Sequence, residues 1–139
     1  MKKTLKIMAM LLFVVSMTAL TSCKKDNAKL VGKWECETAS YIDDNITQPT
    51  DYLIGMVWEF YQNGNITTTG TFDPTDSDGT ATSATYVYTG NRLTIKYTEL
   101  DGDLETETYR ITELTQSNLV IEKNDNDIDD HLQLTFKKI

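Results

Sequence analysis

An all-β fold is what this sequence predicts, in its simplest form an antiparallel up-and-down barrel of eight strands. Three observations carry that expectation. Apolar and polar residues alternate with period two through one segment after another. Asn63-Gly64 and Gly90-Asn91 separate such segments, and pairs of this kind supply the positive φ of tight hairpins. No stretch repeats its apolar residues at helical spacing over an ordinary helix length. A two-sheet β-sandwich shares these local signals and stands as the alternative. The chain has 139 residues, enough for one domain.

The first strand opens at Gly32, where alternation puts Trp34, Cys36 and Thr38 on one face and Lys33, Glu35 and Glu37 on the other, and it ends near Tyr41. Asp43 to Thr50 has turn chemistry, and Asp51 to Met56 reads as a short helical or irregular segment over the barrel. Val57 to Tyr61 and Ile66 to Phe72 form a hairpin about Asn63-Gly64. After an acidic turn over Asp73 to Thr80, strands are expected at Thr82 to Thr89 and Arg92 to Thr98. Leu104 to Leu114 follows a turn at Asp101-Gly102-Asp103. Asn118 to Lys123, a polar loop over Asn124 to Asp130, and His131 to Lys137 complete the set.

The segment before these strands reads as an address. Lys2, Lys3 and Lys6 precede the apolar run Ile7 to Val15, which is too short to span a bilayer and has the flanks of a signal peptide. Leu20-Thr21-Ser22-Cys23 resembles a bacterial lipobox, which implies cleavage before Cys23 and acylation of that cysteine, palmitate being one such chain. Residues 1–22 are then a lipoprotein signal peptide, 23–29 the lipidated cysteine and its tether, and 30–139 the barrel domain. More than one acyl chain suffices for stable attachment to a lipid bilayer. The expected location is the cell envelope, anchored at the outer membrane, facing either the periplasm or the surface. Only Cys36 remains in the domain, so an internal disulfide is excluded and the domain stands on its core. The formal charge is −8, and loss of a leader with three lysines and no acid leaves −11. Such a surface favours solubility and excludes nucleic acid as an expected partner.

Gly32-Lys33-Trp34 resembles the Gly-x-Trp motif on the first strand of lipocalins. The pattern after it resembles the lipocalin-like domains of small Bacteroidetes lipoproteins. The matching residues are Trp58-Glu59-Phe60 before Asn63-Gly64, Tyr88 to Ile95, Tyr109 to Thr115, Leu119-Val120-Ile121 and Leu132 to Lys138. The resemblance spans nearly all of Leu30 to Ile139 and implies an eight-stranded barrel with a cavity at one end, without naming a ligand. It also implies a basic side chain near the last strand packed over the first-strand tryptophan. Strand parity makes Lys138 that residue, where a lysine stacks less well on the indole than an arginine would.

Alternation places an unusually aromatic set inward, from which Trp58, Phe60, Tyr86, Tyr88, Tyr97 and Tyr109 are the pocket candidates. Such rings either fill a small barrel or line a pocket in which tyrosine hydroxyls orient an apolar ligand. Glu105 and Glu107 share the parity of Tyr109 and Ile111; either a bulge turns them outward or they sit at a wet mouth. A Glu107 facing the mouth disfavours anionic ligands such as fatty acids and favours neutral or cationic ones. Cys36, beside Trp34, reads as a small buried hydrophobe before a reactive thiol. The acidic runs at Asp73 to Gly79 and Asp125 to Asp130 lack the ligand spacing of an EF-hand and read as solvated turns. His131 is the only histidine, no Gly-x-Ser-x-Gly segment occurs, and Glu105 with Glu107 has no saccharide cleft to serve. The expectation is a non-enzyme without cofactor or metal, binding a small, largely apolar molecule in its barrel. The alternative is a protein-interaction or inhibitor module that uses its loops and acidic outer face. Oligomeric state is left open.

Overall fold

The computed structural model describes residues 28–43, 46–73, 81, 83–124 and 131–139. The leader, Cys23, most of the tether and most of both acidic loops lie outside the described residues.

A helical turn over residues 28–30 leads into β1 (Gly32–Asp43). Eight further strands follow: β2 (Ile46–Pro49), β3 (Val57–Phe60), β4 (Asn65–Thr68), β5 (Ser83–Thr89), β6 (Arg92–Thr98), β7 (Leu104–Leu114), β8 (Asn118–Asn124) and β9 (His131–Lys138). All pairings are antiparallel, in the order β2-β1-β3-β4-β5-β6-β7-β8-β9, and β1 also pairs with β9. Eight strands therefore close into a barrel without a free edge. β2 lies outside that ring, along Ser40 to Asp43 of β1.

The closure depends on β1 serving two neighbours along one edge. Its first half, Gly32 to Glu35, pairs with β3, and its last four residues pair with β2. Between them the chain of residues 50–56 runs back along β1, where Thr50 N–H donates to Ala39 O and Gly55 N–H to Cys36 O. This turn-rich stretch sends Leu53 and Met56 into the core.

Three sequence expectations need correction. Asp43 to Thr50, read as a turn, contains β2, because β1 is long enough to offer its far edge to a short hairpin partner. Asp51 to Met56, expected as a short helical or irregular segment, takes the irregular form as a run of turns. The strand expected over Ile66 to Phe72 stops at Thr68, where the Thr68 hydroxyl accepts from Gly70 N–H and bends the chain across the barrel end. Thr38 does not share the inner face with Trp34 and Cys36. A register shift between Cys36 and Thr38 against β9 adds one residue, so Ala39 is buried and Thr38 exposed.

The barrel has two unlike ends. The β3–β4, β5–β6 and β7–β8 turns mark one, with the entry to β1 and the exit from β9; it is the floor. Gly64, at φ 86°, makes the first of these turns, and Tyr61 N–H donates across it to Asn65 O. The strand ends that lead into the β4–β5, β6–β7 and β8–β9 connections mark the other, the loop end.

Candidate functional site

The floor is sealed around Trp34. Its ring is fully buried, and it stands opposite Trp58 on β3 and Lys138 on β9. Its Nε1–H donates to Leu30 O at 2.7 Å, so the helical turn before β1 folds under the barrel. Lys138 Nζ lies 5.0 Å from the indole centroid and donates to Val31 O at 2.7 Å and Lys29 O at 3.2 Å. Gly32 explains the spacing. Its φ is 129°, and a Cβ there would meet Lys138 Cε at 2.6 Å. A glycine holds this backbone conformation and leaves room for the lysine to pass over to the tryptophan.

Above the floor the rings converge. Trp58 is the hub: its centroid lies 6.2 Å from Phe60, 5.6 Å from Tyr109 and 5.1 Å from Phe136. Phe60 meets Tyr86 edge-on at 5.0 Å, and Tyr86 donates its hydroxyl proton to Tyr61 O. These contacts come from β3, β5, β7 and β9, and they fill the lower barrel. Tyr88 packs against this core from its edge. It is half-buried at the lower rim, where it lines an open depression of about 680 Å³ with Ala28, Val31 and Gln62.

The upper interior is filled differently, by a side chain from a connection. Phe72, between β4 and β5, is 1% exposed, and its ring lies 6.1 Å from Trp58 and 5.6 Å from Tyr97. The backbone beside it satisfies the polar atoms of the surrounding rings. Trp58 Nε1–H donates to Thr71 O at 3.1 Å, and Tyr109 O–H donates to Phe72 O at 2.5 Å. Burial, with Glu107 and Asp73 nearby, pushes the Tyr109 and Tyr97 hydroxyls far above the ordinary tyrosine pKa, so both remain donors.

Next in the same connection, Asp73 places its carboxylate 2.7 Å from Lys123 Nζ, and Glu107 approaches the same nitrogen at 2.7 Å. Lys123 continues the inward parity of Leu119 and Ile121 on β8. All three charged side chains are less than one-fifth exposed. Burial alone would lower the Lys123 pKa, yet its hydrogen bonds to Asp73 and Glu107 outweigh burial and leave it raised. For Glu107 burial dominates and lifts the carboxyl above its ordinary value, with Lys123 acting against that shift. Glu107 thus faces inward without an intervening bulge, as half of an ion pair, and Glu105 is exposed. Cys36 is buried, and burial pushes its thiol up to about 11, leaving it protonated and inert at neutral pH.

The structure thus brings Trp58, Phe60, Tyr86, Tyr97, Glu107 and Tyr109 around one interior, with Tyr88 half-buried against its lower rim. It adds Phe72, Asp73 and Lys123, which the sequence reading did not place in the site. Parity already pointed Lys123 inward; nothing local marked Phe72 or Asp73 as a plug.

Comparison with known proteins agrees with this architecture. The lipocalin-like domain family model matches residues 30–121. Among solved structures, a lipocalin-like protein from Bacteroides uniformis is 17% identical with a TM-score of 0.50, and the match covers 80% of this chain and 99% of that one. An uncharacterized protein from Bacteroides eggerthii is 16% identical with the same TM-score, covering 79% of this chain and 99% of that one. At such identities the likeness is one of fold. No curated protein sequence matches.

Proposed function

The chain belongs to the lipocalin-like domain family, and from that premise we propose that it reversibly binds a small, largely apolar molecule in the upper half of the barrel. Its fold is one whose members are generally not enzymes, and we read this chain too as a binding protein. The observation that carries the reading is Phe72. A wall residue is fixed by the pairing of its strand, whereas Phe72 is a buried ring that lies outside every strand. The volume it occupies is walled by Trp58, Tyr97 and Tyr109, which offer apolar faces and polar tips to a replacement. The binding takes place at a membrane, with the domain held by an acylated Cys23 at the outer membrane; the leader and the lipobox-like tetrad support this part.

Trp58 reports on the site because it touches Phe72, and Trp34 at the floor is an internal reference. Titration with neutral and charged aromatic and steroid probes should give saturable quenching, stronger in Phe72→Ala and absent in Trp58→Phe. A flat response from both wild type and Phe72→Ala across the panel overturns ligand binding. In that event the interaction-module reading stands, with Ile46, Leu100 and Leu104 as large exposed apolar side chains toward the loop end. For the anchor, Cys23→Ala should release the protein from the membrane fraction; continued membrane partition in high salt overturns it.

A further inference from the structure

The segment Thr71-Phe72-Asp73 does more than close the barrel. It presents an apolar ring, two carbonyl acceptors and a carboxylate, and each is met by a wall group. The ring packs against Trp58 and Tyr97. The Thr71 and Phe72 carbonyls accept from Trp58 Nε1–H and the Tyr109 hydroxyl. The carboxylate meets Lys123. Resting on the ligand-binding reading above, we propose that Thr71-Phe72-Asp73 occupies the site as a built-in ligand, and that the molecule displacing it is a compact aromatic carboxylate.

The contact between Asp73 and Lys123 selects the carboxylate. Lys123 is held between two carboxylates at 2.7 Å, one from the wall strand β7 and one from the connection. When Thr71-Phe72-Asp73 is displaced, Glu107 stays and Asp73 goes, so a mostly buried ammonium loses the charge-assisted contact that Asp73 supplied. A neutral ligand does not replace that contact. An anionic ligand restores the cluster as it is in the closed state. Glu107, which as a lone mouth carboxylate would repel anions, instead forms part of a cluster that takes one. The ring is selected by shape: the space vacated is that of a phenyl group between an indole and a phenol. Tyr109 and Trp58 then need acceptors on the ligand close to its ring, which a carboxylate or a carbonyl supplies.

The probe pair is 1-naphthaleneacetate and its uncharged amide, titrated calorimetrically into the full folded domain. The acid should bind at least about tenfold tighter than the amide, the worth of a charge-assisted hydrogen bond in a partly buried site. Lys123→Gln should collapse that ratio to about one. Asp73→Asn weakens the competing internal contact and should tighten the acid by about three- to tenfold, because more molecules are open to begin with. Should Lys123→Gln fail to fold, Asp73→Asn decides by itself. Equal affinity for acid and amide, or no gain for the acid in Asp73→Asn, overturns the carboxylate assignment while leaving ligand binding intact. Absence of binding by either probe in wild type and Asp73→Asn overturns the assignment as well, and Phe72→Ala with the wider panel then judges binding itself.

Discussion

The floor and the loop end of this barrel solve the same problem with different parts. Each must cover a tryptophan and satisfy an indole N–H inside an apolar interior. At the floor, Trp34 is covered by Lys138 from the adjoining strand, and its N–H is taken by Leu30, four residues away in sequence. At the loop end, Trp58 is covered by Phe72, and its N–H is taken by Thr71, thirteen residues away across a long connection. The floor is therefore bound to the integrity of β1 and β9. The cover at the loop end comes from residues that lie outside every strand.

The contrast can be broken first at the floor. Trp34→Ala should cost about 3–5 kcal/mol, as for other buried aromatic truncations, a large part of the stability of a domain this size. Chemical denaturation measures it, and a loss below about 1 kcal/mol would remove Trp34 from the structural role assigned to it.

Phe72→Ala should cost less, about 1–3 kcal/mol, because a connection can collapse or admit water where a wall strand cannot. It should also raise hydrogen-exchange rates near residues 69–73 and leave β1 and β9 protected. Equal costs for Trp34→Ala and Phe72→Ala would mean that the two ends are equally rigid.

Gly32→Ala sharpens the floor side. The new Cβ meets Lys138 Cε at a φ that L residues rarely adopt, so a loss of about 1–2 kcal/mol is expected. Lys138→Met should then recover part of it by giving way more easily, which a double-mutant cycle reads directly.

The smallest effect separates two glutamates on neighbouring wall strands. Glu122, on the outer face, has its pKa lowered by its hydrogen bond with Arg110, helped by Gln133. Its contribution is present above the ordinary carboxylate pKa of 4.5 and is lost as pH falls through the folded value. Glu107, on the inner face, has its pKa raised by burial. Its contribution is present below 4.5 and is lost as pH rises through the folded value. Stability against pH should therefore tilt in opposite directions for Glu122→Gln and Glu107→Gln, each measured against wild type. With Arg110 largely exposed, the Glu122 effect stays below about 1 kcal/mol. Parallel pH profiles would contradict the assignment of the two faces.

The sequence by itself determined the barrel walls. Strict alternation specifies which side of each strand is buried, and a closed antiparallel sheet is the arrangement that buries every such side without leaving an edge. For that reason Arg92–Thr98 and Leu104–Leu114 are legible to the residue, and Trp58, Phe60, Tyr97 and Tyr109 are inward as alternation requires. Lys123 was equally legible by parity, but a charged side chain reads as solvent-facing until its partners are known. Tertiary structure alone decided those partners. Asp73 reaches Lys123 across fifty positions, Phe72 reaches Tyr97 from a stretch with no strand pairing of its own, and the bulge at Glu37 slips the face of β1 midway. Alternation is a local property, set by the pleat of each strand. What a connection does after it leaves the sheet depends on the cavity it finds, and that cavity exists only once all the walls have closed.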